Sequence, residues 1–185
     1  MKKIIAIAAM ALVCVAASAQ KFAHVNSQEL WQLAPEADQA RETMAASSKE
    51  AQETYQSMVE EFNSKYNQYQ QKASTWTQAI RESKEKELTE IQQRIQEFSQ
   101  SVQQELQQQE QQLYAPIMQK VNETITDLAK KGGYIYVFDV NTALYIDPAQ
   151  STDLTPEARK ILGIAEGRTL ETLAAELQAQ AQQAQ

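Results

Sequence analysis

Residues 88–128, LTEIQQRIQEFSQSVQQELQQQEQQLYAPIMQKVNETITDL, hold no glycine and one proline. Their apolar side chains return every third or fourth residue: Leu88, Ile91, Ile95, Phe98, Val102, Leu106, Leu113, Ile117, Val121, Ile125 and Leu128. At 3.6 residues per turn this draws one narrow apolar stripe along an α-helix. The residues before them repeat the pattern with Ala37, Ala40, Met44, Ala51, Tyr55, Met58, Phe62, Tyr66 and Tyr69, and the whole run 36–131 is free of glycine. A lone stripe has to be buried, so the economical solution is an antiparallel helical hairpin. Its turn is expected near residues 74–81, where the stripe falters and Ser74, Thr75 and Thr77 offer N-cap oxygens. Arms of about 45 residues reach roughly 65 to 70 Å at ~1.5 Å per residue, so the hairpin is expected to project from its body. Pro116 removes a backbone hydrogen bond inside the returning arm and predicts a kink.

The flanks predict a small strand-containing body, residues 20–35 and 132–162, which makes the fold class α+β and mostly α. Phe22 to Asn26 reads as a strand and Ser27 to Leu33 as a short helix ended by Pro35. Lys131-Gly132-Gly133 closes the long helix with a cation and residues free to take left-handed angles. Tyr134 to Val140 and Ala143 to Ile146 read as strands on either side of Asn141-Thr142. Thr155-Pro156-Glu157 opens a helix, with the threonine as its cap, and Gly163 stops it. Residues 163–185 give an amphipathic piece, Thr169 to Leu177, and a Gln/Ala tail.

Residues 1–19 read as a signal peptide: Lys2 and Lys3, an apolar run from Ile4 to Val15, and the small residues Ala17-Ser18-Ala19 before cleavage. The remaining chain is expected to be soluble and exported. Val13 before Cys14 argues against a lipidation site, and loss of Cys14 leaves no cysteine for a disulfide, thiol chemistry or a cysteine-bound metal. Removing Lys2 and Lys3 takes the net charge from −7 to −9, which disfavours nucleic acid as a partner. No cofactor is expected: the four glycines, at 132, 133, 163 and 167, form no phosphate loop. No nucleophile-and-base pair or metal cluster stands out, so the chain does not read as an enzyme.

With the strand motifs in place, Phe22-Ala23-His24-Val25-Asn26 before the hairpin and GYIYVFD at 133–139, ALYI at 143–146 and DLT at 153–155 after it, the layout resembles the Skp/OmpH family of periplasmic chaperones. The likeness covers roughly residues 22–162. It implies a homotrimer whose strands share a central barrel, with three hairpins around a cavity. It also implies an ATP-independent holdase that receives unfolded outer-membrane β-barrel proteins in the periplasm and prevents their aggregation. A structural coiled-coil adaptor of the cell envelope is the alternative reading of the same arms. One departure is plain: familiar members are basic, whereas this chain is acidic, with seven acids and two bases in residues 36–61.

Around the proposed tip the balance reverses, because Lys65, Lys72, Arg81, Lys84 and Lys86 meet only Glu82 and Glu85. Two readings stand for Lys72, Arg81, Lys84 and Lys86: contact with anionic lipid or acidic client, or an ordinary solvated turn. Trp76 either touches lipid or client or staples the arms. Tyr55, Met58, Phe62, Tyr66 and Tyr69 either face a client, for which Met and Tyr are suitably adaptable, or form the hairpin seam; the seam is the expectation for most of them. His24, the only histidine, has no metal partners in sight and is assigned no chemistry. Trp31 is expected to pack in the body.

Overall fold

The structure, a computed structural model, describes residues 20–183. The expected signal peptide and the last two residues of the tail lie outside them. The chain divides into two compact units, one formed by the residues up to Pro35 together with Met118–Gln185, the other by Glu36–Ile117.

In the first unit, β1 (Lys21–Val25) is the central strand of a three-stranded sheet, with β2 (Tyr134–Asp139) on one side and β3 (Ser151–Asp153) on the other. Both pairings are parallel. Parallel neighbours need long crossovers, and the excursion between β1 and β2 is the entire helical region. This corrects the expectation of a strand at Ala143–Ile146, which lies in no strand. A two-residue hairpin turn at Asn141-Thr142 would require positive φ angles, and no described residue other than glycine has one. Asp139 instead draws the chain into a wider turn. Its Oδ1 accepts from the Asn141 backbone N–H at 2.9 Å and its carbonyl from Thr142 and Ala143 at 3.1 Å. Burial opposes ionisation of this carboxyl, but hydrogen bonds from Ser27 and from the backbone and side chain of Asn141 outweigh it and hold the group below its usual range.

Three short helices, together with Val121 and Leu128 of the long helix that precedes β2, cover one face of the sheet. α1 (Ser27–Leu33) starts at Asn26, whose Oδ1 accepts the Glu29 N–H at 3.1 Å, and it sinks Leu30 and Leu33 into the core. α4 (Thr155–Ile161) follows β3 directly. Its cap differs from the expectation: Asp153 accepts the Thr155 N–H at 2.8 Å, while the Thr155 hydroxyl accepts the Asn26 N–H at 3.0 Å. The helix stops as expected at Gly163, φ +73°, with Gly163 N–H bonded to the Lys160 carbonyl and Ile164 N–H to that of Arg159. α5 (Leu170–Gln183) adds Leu173. Ala23 and Val25 meet Leu30, Leu33, Val121, Leu128, Leu154, Ala158, Leu162, Ile164 and Leu173 in one core, with Trp31 half-buried at its edge.

The second unit is a helical hairpin. α2 (Pro35–Lys72) gives way to a 3-10 turn at Ala73–Thr75, an extended Trp76, and Thr77, whose hydroxyl and carbonyl cap α3 (Gln78–Gly132). The helical backbone of α3 continues through Pro116. The arms run antiparallel. As the α2 partner steps back from Tyr69 through Lys65 to Glu61, the α3 partner advances from Glu85 through Glu87 to Arg94.

Candidate functional site

Among the described residues, two surfaces gather several uncovered apolar side chains, one in each unit. On the hairpin, α2 presents the row Tyr55, Met58, Phe62, Tyr66 and Tyr69. Met58, Phe62 and Tyr69 are half-buried, whereas Tyr55 and Tyr66 are 44% and 43% exposed. Phe62 and Tyr66, one turn apart, stack with ring centres 5.9 Å apart. Near the turn the buried seam consists of Leu88 and Ile91, both on α3.

At the tip the cations divide into two groups. Lys65 donates to Glu87 across the arms, and Lys84 donates to the same carboxylate at 2.7 Å. These bonds, that from Lys65 first, hold the Glu87 carboxyl at about 2 and push the Lys65 ammonium above its ordinary value. Lys86 lies 3.7 Å from Glu90. Lys72 and Arg81 have no carboxylate partner among the described residues, and Arg81 stands in a first turn that holds no acid, where a cation opposes the helix dipole. Trp76 packs edge-on against Tyr69 at 6.0 Å, and the Tyr69 hydroxyl donates to Glu85, so the aromatic pair braces the turn. Ile80 beside it is 44% exposed.

In the body the uncovered surface is the sheet face turned away from the helices. Alternation along β1 sends Ala23 and Val25 into the core and Phe22 and His24 to the open side. There Phe22 stacks on Tyr136 at 6.3 Å and lies 6.5 Å from Phe138. Beside them is a recess of about 560 Å³ lined by Phe22, Phe138 and the segment Ala143–Asp147. The same segment carries Leu144 and Tyr145, which are 106% and 80% exposed.

The sequence profile of the OmpH-like outer membrane protein family matches residues 21–162. The chain belongs to the OmpH-like family. No curated protein matches its sequence significantly. Among solved structures it is similar to an OmpH-like outer membrane chaperone candidate from Caulobacter crescentus, with a TM-score of 0.68 and 15% identity over 77% of this chain and 83% of that one. At that identity the likeness establishes the shared fold, a long helical hairpin with a small three-stranded sheet. α5 lies beyond the family match.

Sequence reasoning missed the open aromatic face as a unit, because Phe22 lies more than a hundred residues from Tyr136 and Phe138. It also missed Arg159, which donates to Glu29 and to the carbonyls of Ala165 and Arg168, at 3.1 and 2.6 Å for the carbonyls. Only the i to i+4 spacing within each helix is visible without a fold.

Proposed function

We propose that the chain is an ATP-independent holdase of the periplasm that binds unfolded outer-membrane β-barrel proteins and keeps them from aggregating. Membership of the OmpH-like family carries this reading. The half-covered row Tyr55, Met58, Phe62, Tyr66 and Tyr69 supports it, because a holdase needs many weak, interchangeable contacts with apolar strands. The test mixes the purified mature chain, without nucleotide, with an outer-membrane protein diluted from urea, and follows light scattering. Suppression of scattering at a small excess of chaperone is expected, and unchanged aggregation refutes the reading in favour of an envelope adaptor.

The working form in this proposal is a homotrimer joined through the body sheets. The chain carries both halves of a self-complementary contact: an apolar recess beside Phe22 and Phe138, and the protruding Leu144 and Tyr145 on the segment that borders it. That segment has the composition of a strand and no strand partner in its own chain, while β2 and β3 each leave one edge open. Contacts of this kind, repeated from copy to copy, generate a ring when the rotation closes.

The tip, in the same proposal, meets anionic lipid headgroups through Lys72 and Arg81, with Trp76 and Ile80 as apolar companions, each cation contributing roughly 1 kcal/mol near an anionic surface. Replacing both cations with Gln is expected to weaken binding to anionic vesicles at low salt. Equal affinity would return the tip to a solvated turn.

A further inference from the structure

The open sheet face is an array of two rows by three strands. Tyr136, Phe22 and Ser151 form one row, and Phe138, His24 and Asp153 the next. From β2 to β3 the array passes from aromatic to polar, and His24 stands at the change. Its Nδ1 lies 2.9 Å from the Ser151 hydroxyl, and its ring lines a cavity of about 400 Å³ with Val140, Leu144, Ile146 and Pro148.

The groups around the ring are unevenly charged. β2 presents Phe138, and the segment after it presents Tyr145 and, in the adjoining recess, Asp147. β3 presents Asp153. Both carboxylates already accept a backbone N–H, Asp153 from Thr155 at 2.8 Å and Asp147 from Ala149 at 2.9 Å. The apolar side chains of the helices pack on the opposite face, against Ala23 and Val25.

We propose that His24 is an acid-sensitive latch on self-association: the covering copy accepts only the uncharged ring, and protonation parts the copies. The proposal rests on the assembly reading above. A neutral imidazole already bonds the Ser151 hydroxyl through Nδ1 in either tautomer, so sealing it under apolar side chains leaves only an uncharged Nε2 without a partner. An imidazolium cannot be sealed there at the same cost, because burial in apolar surroundings disfavours charge. Opening the contact therefore takes up a proton. Association is complete above the ordinary histidine range near pH 6.5 and weakens as pH falls through it.

The experiment is sedimentation of the tag-free mature chain, wild type and His24→Gln, at about pH 8 and about pH 5.5, on either side of the ordinary histidine range. With one proton per chain, the dissociation constant should rise up to about tenfold per chain over the last pH unit, roughly a thousandfold for three chains. His24→Gln should assemble equally at both values. Equal assembly of the wild type at both pH values, or the same pH dependence in the glutamine variant, overturns the latch. Failure of the wild type to associate at the higher pH overturns the assembly reading itself and the latch with it. Because the chain has one histidine, its ring proton signal can be followed by NMR whether or not the variant folds. The titration midpoint should be lower in concentrated, assembled samples than in dilute ones, and a midpoint independent of concentration overturns the proposal.

Discussion

Replacing Leu144 with Asp and Tyr145 with Ser separates assembly from folding. Within a single chain these side chains do almost nothing, being 106% and 80% exposed, so the fold of the dilute chain should change by no more than about 0.5 kcal/mol. In the assembly each is proposed to enter a neighbour's recess. Burying one such side chain contributes about 2 kcal/mol, so two on each of three chains amount to roughly 12 kcal/mol as an upper value. If only half is realised, about 6 kcal/mol, the overall dissociation constant rises roughly ten-thousandfold. At micromolar concentration the variant should sediment as single chains with an unchanged far-ultraviolet circular dichroism spectrum. A variant that sediments like the wild type would refute the knob-and-recess argument. One that loses its helical spectrum would instead mean that the segment supports the fold, which its exposure does not allow.

Arg159→Ala should destabilise the body by about 2 to 3 kcal/mol in urea denaturation, because it strips Glu29 and two carbonyls of their donor, and Lys at this position should restore only part, a single ammonium being unable to reach all three acceptors. Pro116→Ala should raise stability, by up to ~3 kcal/mol from intrinsic helix preference, since the helix already continues through this position; a fall in the urea midpoint would mean that packing requires the proline. Glu87, held at about 2, contributes to the hairpin above the ordinary carboxylate value and loses that contribution as pH falls from about 4.5 towards 2, so Glu87→Gln should flatten the acid limb of a helicity titration, and high salt should do the same to the wild type.

The hairpin was legible because its determinants are local: a stripe that repeats within each helix, Thr77 as a cap, Gly133 and Gly163 as stops at positive φ. The third strand was not. Ala143–Ile146 has strand composition, but whether such a segment pairs depends on the turn before it, and Asp139 sets a turn no strand propensity records. The basic tip misled for a related reason. Counting charges between residues 65 and 86 left out Glu61, Glu87 and Glu90, which lie just outside that window and take Lys65, Lys84 and Lys86. Only Lys72 and Arg81 keep the character the count gave to all. Glu29 and Arg159 are 130 residues apart, and no periodicity joins them.

Packing along the hairpin is uneven, and under the proposed holdase reading the unevenness bears on how one arm would serve many clients. The buried side chains of this unit are Ala37, Ala40, Leu88, Ile91 and Ile117; between Ile91 and Ile117, α3 keeps Ile95, Phe98, Val102, Leu106 and Leu113 only half-covered. The facing stretch of α2 has Met44, Ala51, Met58 and Phe62 in the same condition. A seam packed along its whole length would hold the arms more firmly and leave little apolar surface to offer. Here Leu88 and Ile91 and the Lys65-Glu87-Lys84 group fix the end near the turn, while the middle keeps surface in reserve, much of it on Met and aromatic side chains that adapt to varied partners. Because acids outnumber bases on this stretch of α2, a client of the proposed holdase that exposes basic residues would gain long-range attraction before any apolar contact forms. Capture of such clients should therefore slow with added salt, while the affinity of contacts already made changes much less.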